Sequence, residues 1–206
     1  MTREKLSISL LILMIAFALV VPLIGGSLVQ DYSHVQSYIS ELGAVGTEWG
    51  KVVSLGGFLP IGLLVITFLV VNAPLVNPIG YSKIGYYLLL FVGASYIGAA
   101  FAPCDIGCPA EGSLRQNIHN LLGIFEYLIG GVGLLMFSMG FRKRTKSTFS
   151  CTVLAGLGIL TIVSFFLMAS VELSSFRGLF QRIAELCLFT SFIILGWPIA
   201  MKVTSG

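Results

Sequence analysis

Residues 6–28, LSISLLILMIAFALVVPLIGGSL, carry no charged side chain, and their length decides the class of fold. About 20 residues of α-helix cross a hydrocarbon core of about 30 Å. This stretch is long enough, and five more apolar stretches follow at 51–72, 84–103, 115–140, 150–170 and 179–201. Little chain remains outside them, so 1–206 reads as a single integral membrane domain, an all-α polytopic bundle of six transmembrane helices. The composition agrees: with 56% hydrophobic residues, 10% charged residues and a mean hydropathy of +0.97, the chain is too apolar for a soluble domain.

Working outward from the first span, Arg3 and Lys5 precede it as they would precede a secretory signal. The apolar run is longer than a signal core, however, and Gly25-Gly26-Ser27 is a poor cleavage site. The stretch is therefore expected to stay as a span. Six crossings then put Arg3, Lys5, Lys83, Arg142, Lys143, Arg144, Lys146 and Lys202 on one side, and only Lys51, Arg115, Arg177 and Arg182 on or near the other. The positive-inside bias predicts a plasma-membrane protein with both termini cytoplasmic. The same bias accounts for the net charge of +3, so nucleic acid is not a partner. Tyr86, Tyr87, Trp49 and Trp197 fall near the ends of spans and are expected in the interfacial aromatic belts.

The first outer loop has a pattern of its own. Val35, Tyr38, Ile39 and Leu42 recur at helical spacing, Ser33 with Gln36 has the form of a capping box, and Gly43 is a plausible stop. A short amphipathic surface helix is predicted, with His34, Ser37 and Glu41 on its polar face, acting as a flap or as a lid. The second outer loop holds Cys104 and Cys108, where an extracytoplasmic location permits a disulfide and Gly107 eases the small ring. Cys151 and Cys187 lie in spans and read as small apolar residues.

The fourth span carries the chemistry. Gln116, His119, Asn120, Gly123, Glu126, Tyr127, Gly130 and Gly133 share one stripe. An acid as deep as Glu126 costs several kcal/mol unless it is protonated, paired or wetted, which makes it a functional-site candidate by default. In the sixth span Arg182 and Glu185 are spaced to pair with each other, and Arg182 is also a candidate partner for Glu126 or for an anionic headgroup. The candidate catalytic residues are His119, Glu126 and His34, and the candidate binding residues are Arg182, Glu185, Ser37, Glu41 and Asp105. Two histidines among carboxylates suit general acid–base chemistry; no cofactor is evident, and a zinc-type divalent metal stays open. No HExxH, GxSxG or P-loop occurs.

Ser37-Tyr38-Ile39-Ser40-Glu41-Leu42-Gly43, Pro103-Cys104-Asp105 with Cys108-Pro109, His119, and Gly178-Leu179-Phe180-Gln181-Arg182 together resemble the small prokaryotic six-span proteins grouped as domain of unknown function 998. That group is similar, distantly, to the DRAM and Sfk-type eukaryotic membrane proteins, some of them linked to lipid remodelling or distribution. The resemblance implies a six-helix fold and a lipid ligand, and it brings no catalytic residues with it. The expectation is an extracytoplasmic-facing polar site that binds or modifies a membrane lipid or amphiphile, by hydrolysis or acyl transfer if it is an enzyme. The alternatives are a proton-coupled carrier using Glu126 and Glu185, and a non-catalytic scaffold or receptor.

Overall fold

The computed structural model describes residues 2–142 and 148–204, with side chains for 2–142 and 149–196. Lys143, Arg144 and Lys146 of the basic turn lie outside the described residues, as do the side chains of Trp197 and Lys202.

Six helices are long and apolar enough to cross a membrane, and no strand occurs among the described residues. They are α1 (Arg3–Leu28), α2 (Gly50–Val76), α3 (Tyr81–Phe101), α4 (Leu114–Arg142), α5 (Thr148–Ala169) and α6 (Arg177–Thr204). Thr2 caps α1, its side chain accepting from the Lys5 amide at 3.4 Å. α3 ends at Phe101, slightly short of the apolar run, because Pro103 keeps Ala102 out of the helical region (φ −121°, ψ 65°).

The helices run up and down in chain order. Each packs on its sequence neighbours, and α6 closes the ring by packing on α1. Three successive seams are drawn together by glycine pairs. A Cβ built on Gly62 would stand 2.5 Å from the Gly93 carbonyl, one on Gly85 would stand 2.5 Å from that of Gly133, and one on Gly158 would stand 2.8 Å from that of Gly131. Helices in lipid gain no hydrophobic force from each other, so backbone contact at small residues supplies the dispersion energy that holds them.

The interior is filled by Met14, Phe68, Leu69, Phe137, Leu188 and Phe192, while Ile12, Val70, Ile84, Phe166 and Leu186 lie exposed on the outer surface, as a lipid-facing belt requires. Tyr86 belongs to the interior and not to the aromatic belt: it is 1% exposed and donates to the Leu69 carbonyl at 2.7 Å. Tyr87 is exposed.

At one end of the bundle, the cap end, residues 29–49 meet the loop 102–113 and the adjoining ends of α5 and α6. The predicted surface helix is present only in pieces. A turn closes from the Ser37 amide to the Ser33 carbonyl (2.7 Å), Tyr38 is extended (φ −60°, ψ 150°), and a 3-10 turn covers Ile39–Gly43. The break has a physical reason, because α6 captures three consecutive carbonyls. The Leu179 amide donates to Val35, Arg177 Nε to Gln36 and an Arg182 guanidinium N–H to Ser37, at 2.9, 3.1 and 3.1 Å. The amides of Tyr38 and Ile39, which have one hydrogen each, are also spent on the Glu41 and Gln181 side chains and so do not continue the helix. Gly178 makes the approach possible, since a Cβ there would run into the Ser37 backbone. Gly43 does end the turn, but by fit and not by handedness: a Cβ there would meet Ser54 Oγ at 2.6 Å and the Phe58 ring at 2.7 Å.

Candidate functional site

A cavity of about 440 Å³ lies at the cap end, walled by α3, α4, α5 and α6 and roofed by Tyr38, Ile39 and Ser40. Its shape follows from how α4 leans. Near Gly131 the helix rests on α5, but its cap-end turns, Leu114–Gly123, pack on α3 instead. The resulting cleft between α4 and α5 is lined by Leu122, Gly123 and Ile124 on one side and by Phe165, Met168 and Ala169 on the other.

α4 does not stay α-helical through the site. Ile124–Ile129 forms a π-helical turn, and within it Glu126 and Tyr127 are both buried, at 8% and 4% exposure. Opposite them on α6 are Gln181 and Glu185, each 8% exposed. A chain of hydrogen bonds links the set. The Ile39 amide donates to Gln181 Oε1 at 2.5 Å, Gln181 Nε2 to the Tyr127 hydroxyl at 3.0 Å, and Tyr127 to Glu185 Oε1 at 2.7 Å. The Glu126 carboxyl and the Tyr96 hydroxyl also contact Glu185. One oxygen on each acid, Glu126 Oε1 and Glu185 Oε2, is buried with no protein partner. Two facing carboxyls can share a proton or jointly accept donors from a ligand.

His119 stands on the wall, its Nδ1 3.0 Å from the Ala102 carbonyl. A carbonyl only accepts, so Nδ1 carries the hydrogen and a neutral ring keeps its lone pair on Nε2. Arg177 lies at the rim, bonded to Glu41 Oε1 at 3.0 Å and stacked 4.7 Å over the Tyr38 ring.

The sequence candidates divide accordingly. His119, Glu126 and Glu185 come together on the cavity. Arg182 does not join them and pairs with neither Glu126 nor Glu185: its N–H groups go to the Tyr32 hydroxyl (2.6 Å), His34 Nδ1 (3.0 Å) and the Ser37 and Gly178 carbonyls (3.1 and 2.9 Å). The spacing of Arg182 and Glu185 allowed a pair, but the returning loop offered better acceptors. His34 is therefore separate from His119. It is exposed, packed edge-on to Tyr32 and held below its ordinary pKa by partial burial and then by the Arg182 charge. Ser37 acts through its backbone carbonyl, and Glu41 accepts from the Tyr38 amide (2.8 Å) and from Arg177.

Asp105 serves the loop and not the cavity. It accepts from the Ser113 amide, the Ser113 hydroxyl and Arg115, at 2.9, 2.9 and 2.8 Å, and the Ser113 amide first, then Arg115, hold its carboxyl below the usual range. Glu172 bonds Ser170 Oγ at 2.7 Å. Cys104 and Cys108 form a disulfide, with Cα atoms 5.1 Å apart, and Cys108 borders the cavity. Arg177 and Tyr96 were not anticipated as site residues. A tyrosine deep inside an apolar span, away from its ends, and a cation where the charge bias disfavours one, were the available signals.

A family model described as protein of unknown function (DUF998) matches residues 12–198. The chain belongs to the DUF998 family. No curated protein and no solved structure matches it. The DUF998 match runs from α1 into α6 and so contains the whole cavity, the disulfide loop and the cap. With its six apolar helices, this DUF998 member is a membrane protein.

Proposed function

We propose that the cavity binds a membrane amphiphile whose polar head brings hydrogen-bond donors, hydroxyl or ammonium, to Glu126 and Glu185. The observation that carries this reading is the pair of buried, unpartnered carboxyl oxygens in a cavity whose other walls are largely apolar. A buried acceptor without a donor costs about 1–3 kcal/mol, and more when charged, so a ligand that supplies donors is favoured there. The cleft between α4 and α5, with Phe165, Met168 and Leu122 along it, suits an acyl or isoprenoid chain. The charge bias supports a plasma-membrane location with the cap end extracytoplasmic and both termini cytoplasmic.

An anionic headgroup held by Arg182 is not part of this reading, because that side chain is spent on the cap. If turnover accompanies binding, hydrolysis or acyl transfer is the reaction class. His119 Nε2 would be the base and Glu126 the proton-handling acid.

The test compares amphiphile bound to the purified protein, by native mass spectrometry, in wild type, Gly123→Leu and the Glu126→Gln/Glu185→Gln double variant. Gly123 lines the cavity and a Cβ there meets nothing within 4 Å, so leucine obstructs the cleft without a clash. Both variants should keep their unfolding temperature and lose occupancy by about tenfold or more, the glycine variant by filling the cleft and the double variant by losing one or two strong hydrogen bonds. Equal occupancy in all three proteins overturns the proposal. So does a wild type that stays empty after reconstitution in membrane lipid.

A further inference from the structure

We propose that Cys104, Cys108 and His119 form a redox-gated N/S site for a zinc-type cation. One ligand atom from each residue lies within 4.8 Å of the others. Tetrahedral coordination with Zn–S bonds of about 2.3 Å and Zn–N bonds of about 2.0 Å sets the ligand atoms about 3.5–3.8 Å apart, a spacing the three reach once the sulfurs, bonded to each other here, separate on reduction.

A structural disulfide does not require a histidine beside it. The Nδ1–H of this one donates to the Ala102 carbonyl, which leaves Nε2 of the neutral ring as its free donor atom, the usual outer-shell arrangement for a histidine ligand. Ser40 supplies further support, with Oγ 3.4 Å from Cys108 Sγ, so its hydroxyl can donate to a thiolate there. The loop is shaped to bring both sulfurs to one place: Gly107 and Cys108 take positive φ of 76° and 46°, and the Cys108 amide closes on the Asp105 carbonyl at 2.9 Å. Three protein ligands leave the fourth position of a tetrahedron open. Cys108 and His119 both line the cavity, so that position borders the space assigned above to an amphiphile.

The gate is the sulfur–sulfur bond. A small dithiol reduces it with two electrons: the dithiol becomes a cyclic disulfide, and its two protons pass to the Cys104 and Cys108 sulfurs. Cation binding then displaces those two protons to solvent and joins both thiolates and the neutral imidazole to the metal. A small disulfide reverses the sequence: it takes two electrons from the Cys104 and Cys108 thiolates and two protons from solvent, leaves as the dithiol, and the ion is released as the sulfur–sulfur bond re-forms.

The test uses the full chain in detergent micelles. A water-soluble phosphine reduces the disulfide, leaving as phosphine oxide with an oxygen from water, and after its removal cobalt(II) is titrated as a spectroscopic probe. The reduced protein should take up one cobalt with thiolate-to-cobalt charge-transfer and tetrahedral d–d bands, zinc should displace it, and the unreduced protein should show neither band. Cys108→Ser should abolish the bands, and His119→Ala should weaken cobalt binding by about tenfold or more while shifting the d–d envelope. A reduced, folded protein without bands overturns the proposal, as does an unchanged spectrum in His119→Ala. Loss of the fold on reduction, followed by gel filtration and circular dichroism, overturns it too, because the site would then have no scaffold. None of these readouts depends on amphiphile binding.

Discussion

Tyr127 and Glu185 join α4 to α6 through one hydrogen bond of 2.7 Å, and the same tyrosine oxygen accepts from Gln181 at 3.0 Å. The hydroxyl is thus the middle of a relay that begins at the Ile39 amide in the cap. Tyr127→Phe leaves an acceptor on Glu185 and a donor on Gln181 without their shared partner. The expected cost is about 1–2 kcal/mol of stability, read as a lower thermal unfolding temperature in detergent. An unfolding temperature equal to that of wild type would mean that the relay contributes nothing to the fold.

Gly178→Val places a side chain where the Ser37 backbone now lies. The cap must lift from α6, at a cost of about 1–3 kcal/mol for overpacking, and limited proteolysis should cut faster within residues 29–38. Gly156→Ala is the matched control, since a Cβ there meets nothing within 4 Å, and it should leave both readouts unchanged or slightly improved. Equal cleavage rates in the valine variant and wild type would show that the cap does not depend on this contact.

His34 is held below its ordinary pKa of 6.5 by burial first and by the Arg182 guanidinium second, with Tyr32 as its other neighbour. The native state therefore binds fewer protons than the unfolded chain as pH falls through the ordinary histidine range. The stability linked to the neutral ring is present above that range and lost below it. Wild type should lose unfolding temperature more steeply than His34→Gln between about pH 7 and pH 5. Parallel pH profiles would rule out this coupling.

Asp105 has the opposite chemistry but loses its contribution in the same direction. Its carboxyl is held below 3.8, chiefly by the Ser113 amide and Arg115, so its contribution is full above the ordinary carboxylate range and disappears as pH falls through the depressed value. Asp105→Asn should unfold at a lower temperature than wild type near neutrality, with the two curves converging in acid once pH falls past the depressed value. A gap that persists in strong acid would assign the effect to packing and not to charge.

The six helices were legible because lipid imposes length and apolarity on every span, and residues 6–28 already satisfy both. The stripe from Gln116 to Tyr127 was legible for a related reason: a polar group at that depth has to face protein or a cavity. Arg182 was misread. Spacing along one helix offered Glu185, whereas the partners it takes, Tyr32, His34 and the Ser37 carbonyl, come from a loop about 145–150 residues away in the chain, through contacts that no local pattern encodes. The π turn at Ile124–Ile129 escaped because it changes helical phase without changing composition. Asp105 looked like a site residue for want of a visible partner; Ser113 and Arg115 become its partners only when the loop folds back on the start of α4.

The lean of α4 away from α5 above the Gly131–Gly158 contact has a consequence for any binding measurement. A ligand reaching the cavity through that cleft arrives from the leaflet, where it has already partitioned and aligned, so its search is two-dimensional. Occupancy is then governed by mole fraction among the surrounding lipids, and its molarity in water drops out of the equilibrium. An apparent affinity measured in micelles should scale with the amount of detergent present, and the same protein in nanodiscs should give one curve at every dilution of the buffer.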